Sequence, residues 1–119
     1  NGKVMSNLTT HVLDTSQGKP AEGMKVQLFK IEDKKSVQLA EVITNKDGRV
    51  DQKLLKSENN IGIYELRFFA GDYFNKENLQ IIKIKFLDEI TIRFGISDDT
   101  HYHVPLLISP YGYSTYRGS

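Results

Sequence analysis

The sequence predicts an all-β sandwich. Seven or eight short apolar or alternating segments recur at regular spacing along 119 residues, with one short helix among them. No strand–helix alternation is present that would build a parallel sheet. No fixed-period repeat or low-complexity tract interrupts the pattern, which removes solenoids and propellers.

Residues 8–14 alternate with a period of two. Leu8, Thr10 and Val12 share one face and Thr9, His11 and Leu13 the other, as in a half-buried strand. The run 16–23 (SQGKPAEG) breaks it. Residues 24–32 resume, with Val26 and Leu28 opposing Phe29 and Ile31; a polar tip at 33–36 then leads into 37–44, a hairpin pair. Asn45-Lys46-Asp47-Gly48 places Gly where a tight turn needs positive φ, and Arg49 is the first residue out of it. Residues 57–60 are polar and loop-like. GIYELRFFA (62–70) reads as a buried strand closed by Gly71, and Asp72 is expected to cap a short helix over about 73–79. Residues 81–96 are too long for one typical strand unless Leu87-Asp88-Glu89 bends them. Residues 101–109 form an apolar strand, and Pro105 argues for an edge position or a bulge because it cannot donate to a ladder. The remaining aromatic residues are read as sheet core. The tail 111–119 carries three tyrosines in an alternating pattern that a solvated end would not retain, so it reads as built to pack.

Composition narrows the function. A single domain of this length hides roughly two-thirds of its unfolded surface, so it needs neither a disulfide framework nor a structural metal. We assign residues 1–7 to an N-terminal extension and 8–119 to one domain. The absence of cysteine excludes disulfides, thiolate zinc sites, iron–sulfur ligation and a cysteine nucleophile. Sixteen Lys+Arg against fifteen Asp+Glu leave a net charge of +1, with no global field to attract nucleic acid or an anionic membrane. No segment approaches the ~20 apolar residues of a membrane-spanning helix, and the first residues lack a signal-peptide core. The compartment stays open between bacterial periplasm and cytoplasm.

Three histidines hold the side chains that can exchange protons near neutral pH: His11, His101 and His103. Positions 101 and 103 project from one face of a strand, a spacing that suits two groups lining a cleft, a polar strand end, or two metal ligands. A zinc site would need His11 as its third ligand. No G-x-S-x-G elbow, S-x-x-K motif or glycine-rich phosphate loop is present. Asp98-Asp99 beside Thr100 reads as a solvated turn.

The segment HYHVPLLISP (101–110) followed by YGYSTYRGS (111–119) resembles the C-terminal signature of the 5-hydroxyisourate hydrolase family, the transthyretin-related proteins of urate breakdown. LTTHVLD (8–14), GKPA (18–21), TNKDGR (44–49) and GDYF (71–74) are similar to that family's other blocks, in the same order. The match is looser between 78 and 101, and Ile108 stands where the family usually has Leu. The resemblance implies a transthyretin-like sandwich of two four-stranded sheets with one short helix. It implies a homotetramer, a dimer of dimers with active sites where dimers meet. It implies hydrolysis of 5-hydroxyisourate to 2-oxo-4-hydroxy-4-carboxy-5-ureidoimidazoline without a cofactor. His11, Arg49, His103 and Ser119 take the catalytic positions, and Tyr116, Arg117, Gly118, Leu106, Ser109 and Ser114 line the cleft. The alternative is a transthyretin-like carrier that holds a small aromatic ligand without chemistry, although such carriers lack the Tyr-Arg-Gly-Ser tail. Hydrolysing a cyclic amide needs a deprotonated water, a stabilised oxyanion and a protonated leaving nitrogen. Two imidazoles suit the proton transfers, with the choice of base open, and a guanidinium suits planar ring oxygens. Ser119 offers a hydroxyl and the terminal carboxylate.

Overall fold

Two segments at opposite ends of the chain form the backbone of the molecule. The computed structural model describes residues 8–118; the expected 1–7 extension and Ser119 lie outside the described residues. Strands β1 (Leu8–Thr9) and β2 (Val12–Asp14) run parallel to segments in the last fifth of the chain. Leu8 pairs with Tyr102 and Thr9 with His103, while Val12, Leu13 and Asp14 pair with Leu106, Leu107 and Ile108. The register offset is the same throughout, so these pairs are one ladder with a gap.

Pro105 explains the gap, and of the two readings given to it, an edge position or a bulge, the strand order corrects the first. The strand that follows Pro105, β9 (Leu106–Ser109), lies between two neighbours. Val104 N–H donates to Thr9 O at 3.0 Å and Leu106 N–H to His11 O at 2.9 Å, so the backbone nitrogen between them points away from this ladder. On the far side, pairing ends at Leu106 opposite Thr115. The missing donor of Pro105 therefore falls just beyond the paired region on that side and costs no bond on the other.

The remaining strands complete two sheets. One is ordered β10–β9–β2–β3, where β3 is Lys19–Pro20, β9 is Leu106–Ser109 and β10 is Gly112–Thr115; β8 (Tyr102–His103) continues its ladder opposite β1. The other is antiparallel and ordered β5–β4–β6–β7, from β4 (Lys25–Glu32), β5 (Lys35–Ile43), β6 (Gly62–Phe69) and β7 (Glu89–Ile96). Joining the interrupted strands gives eight, four to a sheet. The 24–44 hairpin forms as read, closing on Asp33 and Lys34, both at positive φ as a two-residue turn of matching twist requires.

The predicted alternation is observed: Leu8, Thr10, Val12 and Asp14 are buried, and Thr9, His11 and Leu13 are half-buried. Val12, Leu106 and Ile108 meet Val26, Leu28, Leu66 and Phe68 of the other sheet in the core. Each such side chain contributes about 1.5–3 kcal/mol through burial. Helix α1 (Ala70–Lys76) closes one end with Tyr73 and Phe74. It starts earlier than expected, because β6 runs into it without a loop. Asp72 lies in its first turn, and Phe69 takes the N-cap position without a side-chain bond. Gly71 N–H donates to Asp88 O at 2.9 Å, tying the helix to the bend before β7. That bend falls where it was read, and residues 80–88 form no strand. Four aromatic residues expected in the core are outside it: Phe86, Tyr111, Tyr113 and Tyr116 face outward. No described helix is long and apolar enough to cross a membrane.

Candidate active site

Two isolated β-bridges assemble the site, His11 with Arg49 and His103 with Gly118. The first depends on the turn before Arg49. Asn45 Oδ1 accepts from Asp47 N–H at 2.8 Å and Arg49 N–H at 3.1 Å, and Gly48 N–H donates to Asn45 O at 2.9 Å. Gly48 has φ +73, and a Cβ there would collide with Val12 O. Only glycine lets the turn approach the strand closely enough for Val12 N–H to bond Gly48 O at 2.9 Å and bring Arg49 beside His11.

The second bridge folds the tail over His103. Gly118 N–H donates to His103 O at 2.7 Å, and a Cβ on Gly118 would meet His103 Cδ2 at 2.6 Å. Arg117 anchors this segment. Its guanidinium stacks 3.9 Å from the Tyr102 ring centroid and donates to Thr100 Oγ1 at 3.0 Å and His101 O at 3.1 Å. Arg117 was expected to line the cleft. Its side chain is committed to holding the tail.

The imidazoles form a connected line. His11 Nδ1 lies 2.8 Å from His103 Nε2, and the rings stack with centroids 4.9 Å apart. His103 Nδ1 lies 2.7 Å from Thr9 Oγ1, which lies 2.9 Å from His101 Nε2. Both nitrogens of His103 are therefore engaged. Burial first, and then the Arg49 charge, lower the pKa of His11; burial, His11, Arg49 and His101 lower that of His103. Both rings are thus neutral near pH 7, able to accept protons. Arg49 is exposed, and among the described residues its guanidinium takes part in none of the four ion pairs. A cleft of about 250 Å³ beside it is lined by Leu8, Thr9, Thr10, Val50 and Asp51.

Other predicted residues divide by strand parity. Ser114 pairs with Leu107, and Leu107 with Leu13, on the outward face that carries His11. Ser109 sits at the end of that face with its hydroxyl 3.3 Å from Gly112 O. Leu106 is a correction: it is fully buried in the core, and the leucine on the outward face is Leu107. Tyr116 lies with Arg117 at the sandwich edge, lining a separate cleft. Ser119 lies outside the described residues. His11, His101 and His103 are strung along a line through Thr9, and among the described residues no group of three or more His, Cys, Asp or Glu converges on a metal position. Sequence reading missed Thr9. Parity places it on the face of His11, but only the register sets it between two histidines from the other end of the chain.

Comparison with known proteins adds an independent line. The family model described as HIUase/Transthyretin family matches residues 8–118. A 5-hydroxyisourate hydrolase of Pseudomonas aeruginosa is 51% identical over 117 residues, covering 97% of this chain and 93% of the relative. The crystal structure of (S)-allantoin synthase superposes with a TM-score of 0.89 at 43% identity, over 98% of this chain; the chain spans 45% of that protein's length. The structure of Klebsiella pneumoniae 5-hydroxyisourate hydrolase matches with a TM-score of 0.80 at 37% identity, over 97% of this chain and 100% of that one.

Proposed function

The chain belongs to the HIUase/Transthyretin family, and on that premise we propose how its transthyretin-like sandwich performs the family's hydrolysis. The protein is a hydrolase that opens 5-hydroxyisourate to 2-oxo-4-hydroxy-4-carboxy-5-ureidoimidazoline in urate breakdown. One observation carries the mechanism: His103 spends both ring nitrogens on Thr9 and His11, leaving His11 Nε2 as the nitrogen of the pair that is unengaged among the described residues. His11 Nε2 takes a proton from the attacking water. The water oxygen bonds to the amide carbon, and the oxyanion that forms is held by Arg49, whose fixed fork matches planar oxygens better than an ammonium would. Collapse breaks the carbon–nitrogen bond while the stored proton returns to the leaving nitrogen. In this reading the Ser119 hydroxyl, which the family signature assigns to the site, orients substrate.

The working form in this reading is a homotetramer built as a dimer of dimers. Strands β7 and β10 are edge strands, one from each sheet, and together they border a cleft of about 260 Å³ whose lining includes Phe94, Tyr102 and Tyr116. Free edges of that kind pair with another copy. The outward tyrosines of the tail then pack between subunits, and a second dimer covers the open face of His11 and Arg49.

The test is a coupled assay in which urate oxidase generates 5-hydroxyisourate and its absorbance loss is compared with spontaneous decay. The protein accelerates the loss, and His11→Ala slows turnover by about 10²–10⁴. No acceleration by the folded protein would favour the carrier alternative, and full activity of His11→Ala would remove His11 from the chemistry.

A further inference from the structure

The hydrogen bonds around His103 continue past it to the surface. We propose that His11, His103, Thr9 and His101 form a proton relay, in which Thr9 is a positioning residue and His101 the exposed terminus that stores the catalytic proton; this deepens the hydrolase reading above and rests on it. Three contacts build the line: 2.8 Å from His11 Nδ1 to His103 Nε2, 2.7 Å from His103 Nδ1 to Thr9 Oγ1, and 2.9 Å from Thr9 Oγ1 to His101 Nε2. All are short enough for hydrogen bonding. The hydroxyl of Thr9 has one proton, so it donates to one histidine and accepts from the other.

The line therefore has two polarities. In one, His11 Nδ1–H donates to His103 Nε2, His103 Nδ1–H to Thr9 Oγ1, and Thr9 O–H to His101 Nε2; His11 Nε2 then carries a bare lone pair, ready to act as base. When that atom takes a proton from water, each link passes its own proton one place along. His101 ends with protons on both nitrogens, and the line between has reversed. His11 now holds Nε2–H, the form needed to protonate the leaving nitrogen. That donation draws the excess proton back from His101 and restores the first polarity. Protons balance over the cycle, and no redox partner is involved.

Burial divides the work. His103 is buried and His101 is exposed, so the positive charge moves away from Arg49 and the desolvated pair to a ring that water can stabilise. A hydroxyl both donates and accepts, which is what a link between two imidazoles requires.

Steady-state kinetics of Thr9→Val, Thr9→Ser and His101→Ala test the relay, with His11→Ala as reference. Thr9→Val keeps the shape and removes the link. Its kcat falls by about 10–10²-fold, below the ~10²–10⁴ of losing the base itself, while KM stays near the wild-type value. Thr9→Ser recovers most of that kcat. His101→Ala, at an exposed position, loses kcat in dilute buffer and regains it with added imidazole. ¹⁵N spectra of His103 show the Nδ1 hydrogen bond in wild type and Thr9→Ser and its loss in Thr9→Val. Wild-type kcat in Thr9→Val, or Thr9→Ser as slow as Thr9→Val, would overturn the relay. So would a His101→Ala variant whose rate ignores imidazole. If His11→Ala is inactive while Thr9→Val is normal, only the relay fails; if His11→Ala is itself fully active, the hydrolase site reading fails first.

Discussion

One strand line carries two polar clusters on opposite faces, and they obey different rules. On the inner side Asp14 is fully buried, and its carboxylate accepts from Ser16 N–H, Ser16 Oγ–H, Gln17 N–H, Gln17 Nε2–H and Tyr73 O–H at 2.6–3.1 Å. Every acceptor position is used. On the outer side His11 keeps a nitrogen unengaged among the described residues, and its line to His101 can run in either direction. The saturated cluster fixes the strand to α1, and the unsaturated one is free to react. Electrostatics follow the same division. Burial opposes ionisation of Asp14, but bonds from Ser16, Gln17 and Tyr73 outweigh it and hold the carboxyl below its usual range; burial and the Asp14 charge push the Tyr73 phenol up. Nothing outweighs burial at His11 and His103, where Arg49 adds to it, so both stay neutral.

Breaking the outer cluster should cost rate. Arg49→Lys preserves charge and loses the planar fork, and kcat/KM is expected to fall by about 10²–10³. Near-normal turnover would make Arg49 a packing residue. The same position tunes pH dependence. In the wild type kcat/KM is expected to rise with pH through an apparent pKa below the ordinary histidine value of about 6.5, because protonation of His11 would remove the proposed base. Arg49→Gln removes a charge that depresses this pKa, so the acidic limb moves to higher pH; a limb that stays put would show burial acting alone.

Gly118→Ala comes next. Its methyl would meet the His103 ring at 2.6 Å, pushing ring and tail apart, and a displacement of about 1 Å is expected to cost about 10²-fold in turnover. The melting temperature should barely move. A large loss of stability with normal kcat would reverse that assignment.

The inner cluster should cost stability instead. Asp14→Ala strands the buried Tyr73 hydroxyl, a loss of about 1–3 kcal/mol, with kcat per folded molecule unchanged. The Asp14 carboxyl has a folded pKa below its unfolded one. Its contribution is complete above the unfolded pKa and lost as pH falls through the folded one. Thermal melts across pH 2–7 check this, since the Asp14→Ala variant should lose part of the wild-type acid sensitivity.

Much was legible locally. Period-two alternation separated Leu8, Thr10 and Val12 from Thr9, His11 and Leu13, and the Asn45–Gly48 turn announced its positive φ. Side-chain direction along one strand and backbone preference at one turn depend on neighbouring residues alone. The terminal signature and its upstream blocks carried the family and with it the expected chemistry. Local pattern failed where partners are distant. Pro105 reads as an edge position or a bulge because nothing nearby reveals that β9 is flanked on both sides and that β10 stops one residue short of it. Leu106 was placed at the cleft because the parity of a strand broken at Pro105 cannot be anchored from its own residues. Tyr111, Tyr113 and Tyr116 are outward in one chain although their composition asks for burial, a demand that a subunit contact would meet. Residue types determined what this protein has to work with: three histidines, an arginine leaving a turn, and a tail that carries Gly118. The parallel register between residues 8–14 and 102–108 decided that Thr9 would join two of those histidines and that Gly118 would rest on one. Such a register is set by how two sheets fill one core, which no short window of sequence contains.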